Sequence, residues 1–200
     1  IDDFSGKNSI RDVVDFILVQ KALALGGSKI QFSFTLGNYD ARNSKLLQEG
    51  LLLIGFDSIW LSQLKDKQQD VYISDAIIRK GEFLAGIYTS EENKNRIIIN
   101  NIDDFKELSV ISSQHWLVDW QTLTAIGPKK LVHEDEWLAM AKLVHLGWID
   151  VMLAPFTKNR PFSYQGDGYK IVAVDDVKVA LNDSRHFVVS RKHPLGKETF

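Results

Sequence analysis

The 200-residue sequence contains no cysteine. This absence excludes disulfides, thiolate nucleophiles and zinc–thiolate sites, and it leaves the redox compartment open. No apolar run approaches the roughly 18 residues that span a bilayer. No block of like charge is long enough for a nucleic-acid-binding arm or a polybasic membrane tether, and the net charge is only −2. We therefore expect no nucleic-acid partner.

Sequence motifs of common enzymes are also missing. The chain has no G-x-S-x-G, no P-loop and no G-x-G-x-x-G. Its histidines include no i, i+4 pair with the glutamate of a helical metal site. They are His115, His133, His145, His186 and His193. The sequence therefore predicts a protein that is not an enzyme and that holds no metal or cofactor.

The bulk composition is typical of a soluble globular protein. Hydrophobic residues make up 44% of the chain and charged residues 25%. That is enough for a buried core in one large domain or in two small lobes. The chain opens at Ile1 without Met and without a signal-peptide pattern. We expect a processed or trimmed protein, with further material after Phe200.

Helical and strand patterns alternate along the chain. Apolar residues at the 3.6-residue period predict helices, and Gly26-Gly27 ends the first of them. The predicted helices are 10–25, 41–48, 102–108, 116–126 and 134–146. The predicted strands are 29–36, 51–60, 83–88, 96–99, 109–112, 130–133, 149–155, 169–174 and 186–189. This alternation predicts an α/β fold with mainly parallel sheets flanked by helices, and the long irregular stretch 157–168 predicts a functional loop.

An ordered set of segments resembles one known family. The pattern W-x-x-D-x-x-x-L, then Gly, then G-x-I-D is carried by Trp116, Asp119, Leu123, Gly127 and Gly147-Trp148-Ile149-Asp150. With the segments 70–90 and 187–194, it is similar to type II periplasmic solute-binding proteins, the family 3-like extracellular proteins that serve as transporter substrate-binding domains. The resemblance covers nearly the whole chain, and it depends on the order of the segments more than on any single motif.

The resemblance implies a two-lobed type II periplasmic-binding-protein fold. Residues 1–89 with 184–200 form the implied first lobe, and 90–183 form the second. Two crossing strands join the lobes, the ligand lies in the interlobe cleft, and hinge residues near Thr89 and Ser184 close it. The implied function is periplasmic capture of a small polar or carboxylate-bearing molecule for an ABC-type transporter. The implied partner is an inner-membrane permease or receptor, and the family is usually monomeric.

Other functions stay open at this point. Modules of this type also occur as ligand-sensing domains of membrane signalling receptors. A degenerate binding fold that acts as a protein-interaction module is another alternative. A few members of the fold are dehydratases, although nothing in this sequence singles out a catalytic carboxylate.

The candidate ligand-binding residues of the first lobe follow two predicted elements. The resemblance places Arg42 at the start of a cleft-facing helix, where it would hold a carboxylate by a two-pronged hydrogen bond; a solvated surface arginine is the alternative. Trp60 ends a predicted strand and would stack on the ligand, or pack in the core. Ser62 and Gln63 follow it as hydrogen-bond donors.

The candidates of the second lobe lie in a strand-to-helix turn and in a loop. Backbone N–H groups at a helix N-terminus favour anions, and the turn adds side-chain donors. The turn residues are Ser112, Ser113, Gln114, His115 and Trp116. Phe156 and Arg160, with Lys158, would line the second lobe's side of the cleft, or form a surface loop. Asp119 is expected instead to be a negative charge at the helix N-terminus that interacts favourably with the helix dipole.

Two departures from the family pattern bear on the ligand. Amino-acid binders of this family commonly carry an arginine before an F-S pair, where this chain has Lys67 and Ile73. They also hold the ligand's ammonium group with an acid where this chain has Ala154-Pro155. Lysine is a point donor that does not reproduce the arginine fork. Both departures put a standard amino-acid ligand in doubt.

Overall fold

The computed structural model describes residues 10–27, 40–55, 57–158 and 160–200. The chain forms two compact units, one from Ile1–Arg79 and Ser184–Phe200 and the other from Lys80–Asp183. The division into lobes expected from the sequence stays a prediction. It assigned residues 84–89 to the first lobe, whereas in the structure they belong to a strand of the second unit. Within the described ranges, no helix is long and apolar enough to cross a membrane.

Six helices and ten strands are formed in these ranges. The helices are α1 Ile10–Leu25, α2 Asp40–Glu49, α3 Ile102–Lys106, α4 Leu117–Ile126, α5 Trp137–His145 and α6 Gly196–Thr199. The strands are β1 Ile59–Trp60, β2 Val71–Ile73, β3 Leu84–Ser90, β4 Ser109–Ser112, β5 Lys130–His133, β6 Val151–Pro155, β7 Ser163–Gly166, β8 Tyr169–Ala180, β9 Arg185–His186 and β10 Val188–Ser190. The predicted strand 29–36 lies outside the described residues.

The described residues of the first unit include α1, α2, α6 and two short antiparallel strand pairs. Strand β1 pairs with β9, and β2 pairs with β10. Val19 and Leu23 of α1 pack against Ile54 and Val189 in one apolar cluster. Leu47 of α2 lies in a second cluster with β2 and β10. Helix α1 has the bounds that its apolar period predicted.

The predicted buried strand 51–60 is wrong. Gly50 adopts a positive φ of 76°, and the N–H groups of Leu51 and Leu52 both donate to Leu46 O, so the chain caps α2 instead of extending. Leu51 is 71% exposed. Among the other described residues of the segment, Ile54 makes an isolated bridge, and Ile59–Trp60 forms a strand, which is antiparallel. The apolar residues of this run therefore belong to a helix cap and to core clusters. Composition alone does not distinguish such a segment from a buried strand.

The second unit has a six-stranded sheet in the order β5-β4-β6-β3-β8-β7. Strand β4 pairs in parallel with β5 and with β6, and the remaining pairings are antiparallel. Helix α5 packs on the sheet through Met140, Ala141 and Val144, all fully buried, against Ile111 and Met152. Burying a Met or Val side chain stabilises a fold by about 1.5–3 kcal/mol, so this face anchors the unit. The predicted α/β fold is confirmed, with two parallel and three antiparallel pairings in this sheet where mainly parallel sheets were predicted.

Polar side chains fix the ends of the second unit's helices. Asn101 Oδ1 accepts the N–H of Asp103 at 2.8 Å and of Asp104 at 3.2 Å, and Asp104 Oδ2 accepts the N–H of Asn101 at 3.2 Å. Helix α4 ends at Gly127, whose φ is 76°. Helix α5 starts at Trp137, three residues later than predicted. The later start is due to a turn in which Glu134 Oε1 accepts the N–H groups of Asp135 and Glu136.

Two other local predictions fail in this unit. Residues 96–99 form no strand, because the N–H groups of Arg96 and Ile97 both donate to Asn93 O in a turn. The stretch 157–168 is not wholly irregular, because Ser163–Gly166 pairs with β8. Turn bonds and strand pairing are tertiary facts that a short polar or apolar pattern does not specify.

Candidate functional site

The parallel strands of the second unit end together at one edge of the sheet. Ser112 of β4 pairs with His133 of β5, and β4 runs parallel to β6, which ends at Pro155. We call residues 112–116, 133–136 and 156–158 the carboxyl edge. Ligands of open α/β sheets bind outside the carboxyl ends of the strands. The edge contains most of the candidate residues predicted for this unit.

Hydrogen bonds tie the turn after β4 to the loop after β5. Ser113 Oγ donates to Asp135 Oδ1 at 2.9 Å and accepts the N–H of His115 at 3.1 Å. The N–H of Trp116 donates to Ser113 O at 3.1 Å, and the N–H of Gln114 to His133 Nδ1 at 3.3 Å. The structure therefore brings the predicted turn residues together with two groups that the sequence analysis did not select.

Ser112 has a different environment from its neighbour. Its side chain is buried, and Ser112 Oγ makes no hydrogen bond within the described part of the chain. Its carbonyl accepts the N–H of Glu134 at 3.2 Å. Ser112 therefore contributes its backbone to the junction of β4 and β5.

Asp135 is surrounded by two imidazoles. Its Oδ1 lies 3.5 Å from His115 Nε2 and 3.6 Å from His133 Nε2. His133 Nδ1 accepts a backbone N–H, so a neutral His133 carries its proton on Nε2. This Nε2–H group faces Asp135. A protonated nitrogen does not coordinate a metal. No histidine, aspartate and glutamate group in the described ranges is placed to hold one.

A local turn at the start of α5 sets the position of Asp135. Glu134 Oε1 accepts the N–H of Asp135 at 2.9 Å and of Glu136 at 3.1 Å. These bonds hold both residues outside the helix, which is why α5 begins at Trp137. The first three residues of the predicted helix 134–146 are instead the part of the loop that presents Asp135.

Aromatic side chains cover the end of β6. The Phe156 and Phe162 rings lie 4.9 Å apart, and the Arg160 guanidinium lies 5.2 Å from the Phe162 ring centre. The hydroxyls of Tyr88 and Tyr164 donate to Pro155 O at 3.0 and 2.7 Å. Burial raises the pKa of Tyr88 to about 12, so its hydroxyl stays a donor at all physiological pH values.

Asp119 lies in the first turn of α4, as expected, but in an unfavourable environment for a charge. Burial raises the pKa of its carboxyl to about 6, and a backbone hydrogen bond opposes this only in part. The carboxyl is therefore held at a cost in free energy above that pH. Favourable interaction with the helix dipole does not outweigh its desolvation.

In the first unit, the predicted residues surround the strand β1. The N–H of Trp60 donates to Gln63 Oε1 at 3.2 Å, so Gln63 holds the adjoining 3₁₀ turn, Leu61–Leu64, which also contains Ser62. The Arg185 guanidinium lies 5.1 Å from the Trp60 ring centre. Arg42 lies in α2, and its side chain is outside the described part of the structure.

Buried charges support Trp60, and the sequence analysis did not identify them. Arg185 is 6% exposed and donates to Ser58 O. Asp15 is 4% exposed, and its Oδ2 accepts both the N–H of Ser58 at 3.0 Å and Ser58 Oγ at 2.7 Å. No sequence motif marks this arrangement, because the residues are 43 and 127 positions apart.

Solved structures with the same fold are known. The GluR0 ligand binding core, solved with L-glutamate, is 15% identical over 92% of this chain and 79% of that chain, with a TM-score of 0.59. The probable amino-acid ABC transporter extracellular-binding protein YtmK of Bacillus subtilis is 17% identical over 92% of this chain and 77% of that chain, with a TM-score of 0.63. AncCDT-1 is an ancestral amino-acid-binding protein and a precursor of cyclohexadienyl dehydratase. It is 15% identical over 94% of this chain and 74% of that chain, with a TM-score of 0.53.

These likenesses establish the fold of the chain. It is the type II fold of two-lobed periplasmic binding proteins, as the resemblance in the sequence implied. The similar structures are mostly of binding proteins, and one is the precursor of an enzyme. No family model matches the chain, and no curated protein matches it.

Proposed function

We propose that this chain is an extracytoplasmic solute-binding module that captures a small polar or carboxylate-bearing molecule for an ABC-type transporter. The fold supports this proposal, because the similar structures include a ligand-binding core solved with L-glutamate and a probable amino-acid transporter binding protein. The observation that carries it is the carboxyl edge, where Ser113, His115 and Asp135 are joined by hydrogen bonds and ion-pair distances at the ends of parallel strands.

The edge combines the groups that a small polar ligand needs. Its polar side chains Gln114, His115 and Asp135 are half exposed or exposed. At the end of β6, the Phe162 ring packs on the Phe156 ring, and the Arg160 guanidinium lies over Phe162. Binding sites for small molecules commonly combine an apolar wall with a few placed polar groups. Arg160 offers a guanidinium for a ligand carboxylate.

A thermal-shift screen tests this function. The purified protein is heated with a library of amino acids, small carboxylates, amines, sugars and aromatic metabolites. A ligand at a hundred times its dissociation constant stabilises the folded protein by about 2.7 kcal/mol, or several degrees. The proposal predicts a hit whose shift is reduced in Ser113→Ala at unchanged ligand concentration. A library without any hit would contradict it and favour a protein-interaction module.

A further inference from the structure

Four large apolar side chains are exposed at the edge of the second unit's sheet that lies opposite the carboxyl edge. We call residues 91–102 and 146–150, which lie where β4 and β6 begin, the amino edge. Its exposed side chains are Trp148 at 72%, Ile98 at 68%, Leu146 at 58% and Ile102 at 56%. Single exposed apolar residues are normal, but a group of this kind marks an interaction surface.

The sheet topology brings these residues to one surface. Strand β3 ends beside the start of β6, because Tyr88 pairs with Met152, and the chain then crosses β6 to reach β4 in the order β5-β4-β6-β3. The crossing segment 91–101 therefore passes the turn that precedes β6. A Cβ added to Gly147 in that turn would lie 3.3 Å from Asn93 Nδ2, which shows that the two segments lie side by side.

Buried neighbours hold the exposed side chains outward. The N–H groups of Trp148 and Ile149 donate to Leu143 O at 3.0 and 3.4 Å, and the side chain of Ile149 is buried. In the other segment, the buried Ile97 directly precedes Ile98. Turning either exposed side chain inward would expose a core isoleucine, so the apolar surface is a fixed feature of this edge.

The charges of this edge nearly cancel. Three ion pairs neutralise most charges of the segment 91–106, and Asp104 Oδ2 accepts N–H groups at the start of α3. The pairs are Glu91–Lys170, Lys94–Asp175 and Asp103–Lys106. Glu92 and Arg96 are exposed, and neither lies within ion-pair distance of a charged side chain in the described part of the chain. Arg96 Nη1 donates to Asn93 Oδ1 at 3.1 Å.

One free charge of each sign makes this surface complementary to itself. In a pair related by a two-fold axis, each residue contact occurs twice, so Arg96 of one copy faces Glu92 of the other at two places. A partner with a large net charge would find no matching field here. The charge pattern therefore favours a second copy of this chain as the occupant.

The size of the apolar surface also fits such a pair. The exposed parts of the four side chains amount to roughly 500 Å². Because protein interfaces are about 56–65% apolar, this corresponds to roughly 800 Å² on each partner. That is the usual size of a specific interface between two proteins.

We propose that the amino edge is the interface of a homodimer, in which two copies pack their four exposed apolar side chains together about a two-fold axis. Glu92 and Arg96 form reciprocal ion pairs at its rim. The carboxyl edge lies at the other end of the parallel strands and stays uncovered. Dimerisation therefore does not depend on the proposed ligand binding, and either can fail without the other.

Sedimentation equilibrium of the full 200-residue chain measures the association. We expect a dimer with a dissociation constant in the micromolar range, and Trp148→Gln should weaken it at least about tenfold, as for a central tryptophan of an interface. Leu138→Gln is the matched control, because Leu138 is exposed at the opposite end of α5, and we expect no change. A chain that stays monomeric up to millimolar concentration, or a dimer unaffected by Trp148→Gln, overturns the proposal.

Charge reversal tests the two-fold geometry. Glu92→Arg places arginine against arginine at both contacts, and Arg96→Glu places glutamate against glutamate, so each variant alone should associate at least about tenfold more weakly. An equimolar mixture of the two variants should regain association, because every contact then joins opposite charges. A mixture that associates no more tightly than either variant alone, or a wild type that forms assemblies larger than a dimer, contradicts the proposed pairing.

Discussion

The two candidate regions hold their functional side chains by opposite means. In the first unit, Trp60 lies against Arg185, which is almost fully buried, and Ser58 joins that arginine to the buried Asp15. In the second unit, Ser113 and two histidines hold Asp135, which remains half exposed. Buried charges are costly to disturb, whereas exposed ones are screened by water. The first region is therefore a rigid support, and the second can change its charge pattern without losing the fold.

The largest expected effect comes from breaking the buried arrangement beside Trp60. Arg185→Met leaves the buried Ser58 O without its charged donor, which costs about 1.5–3 kcal/mol, and it removes the guanidinium contact with the Trp60 ring, which adds up to about 2 kcal/mol. Urea unfolding monitored by fluorescence measures the loss.

Arg191→Met is the matched control for that variant. Arg191 also donates to a carbonyl, Val71 O, at 2.9 Å and stacks on a ring, Tyr72, at 4.0 Å, but it is exposed. We expect it to cost less than about 1 kcal/mol. Equal losses for the two variants would show that burial of Arg185 does not stabilise the Trp60 region.

A smaller effect is expected at Asp119. Because the pKa of Asp119 in the folded state, about 6, lies above its ordinary value of 3.8, the folded protein binds the proton more tightly than the unfolded chain does. Stability therefore falls as pH rises from about 4 to 6, and the full penalty is present above that range. Asp119→Asn should match the wild type at pH 3.5 and exceed it at pH 7.5, by at most about 3 kcal/mol.

Unfolding free energies of both proteins at these two pH values check this prediction. Asp103→Asn changes an exposed first-turn aspartate of α3 and should show no such gain at pH 7.5. An Asp119→Asn variant that is less stable than the wild type at pH 7.5 would mean that the charged carboxyl has a favourable partner in solution.

The smallest effect is expected at Ser113. Ser113→Ala removes two hydrogen bonds, but water replaces the one to the half-exposed Asp135, so we expect a loss of about 1 kcal/mol. Thermal unfolding measures it. A loss as large as that of Arg185→Met would contradict the contrast between the two regions, because it would make the carboxyl edge equally dependent on buried polar contacts.

The sequence predicted several helices and strands correctly, but it predicted less well where an apolar run packs in the fold. Helix α1 and strands β4 and β5 match their predicted bounds because each carries a clear apolar period or a short apolar run next to glycine or polar turns. The run 51–60 failed because its apolar side chains serve a helix cap and two separate clusters. An apolar run shows that its side chains are buried, but buried side chains occur both in a strand and in a helix cap followed by irregular chain.

The candidate site was predictable only in part. The turn 112–116 was found because polar residues follow a strand and precede a helix. Asp135 was taken for part of a helix start, since the bonds from Glu134 that hold it outside α5 depend on backbone geometry. Arg185 and Asp15 could not be found, because long-range pairs of this kind leave no local pattern. Whether Trp60, Phe156 and Arg160 contact a ligand stays a prediction.

The central claim is that the carboxyl edge of the second unit binds a small molecule. The most direct measurement is a ¹H–¹⁵N NMR titration of the full 200-residue chain with the best thermal-shift hit. The account predicts saturable shifts of the backbone amides of residues 112–116 and 133–136, with little change at Leu146 and Trp148. Saturable shifts confined to residues outside this edge, or none with any stabilising compound, would contradict it.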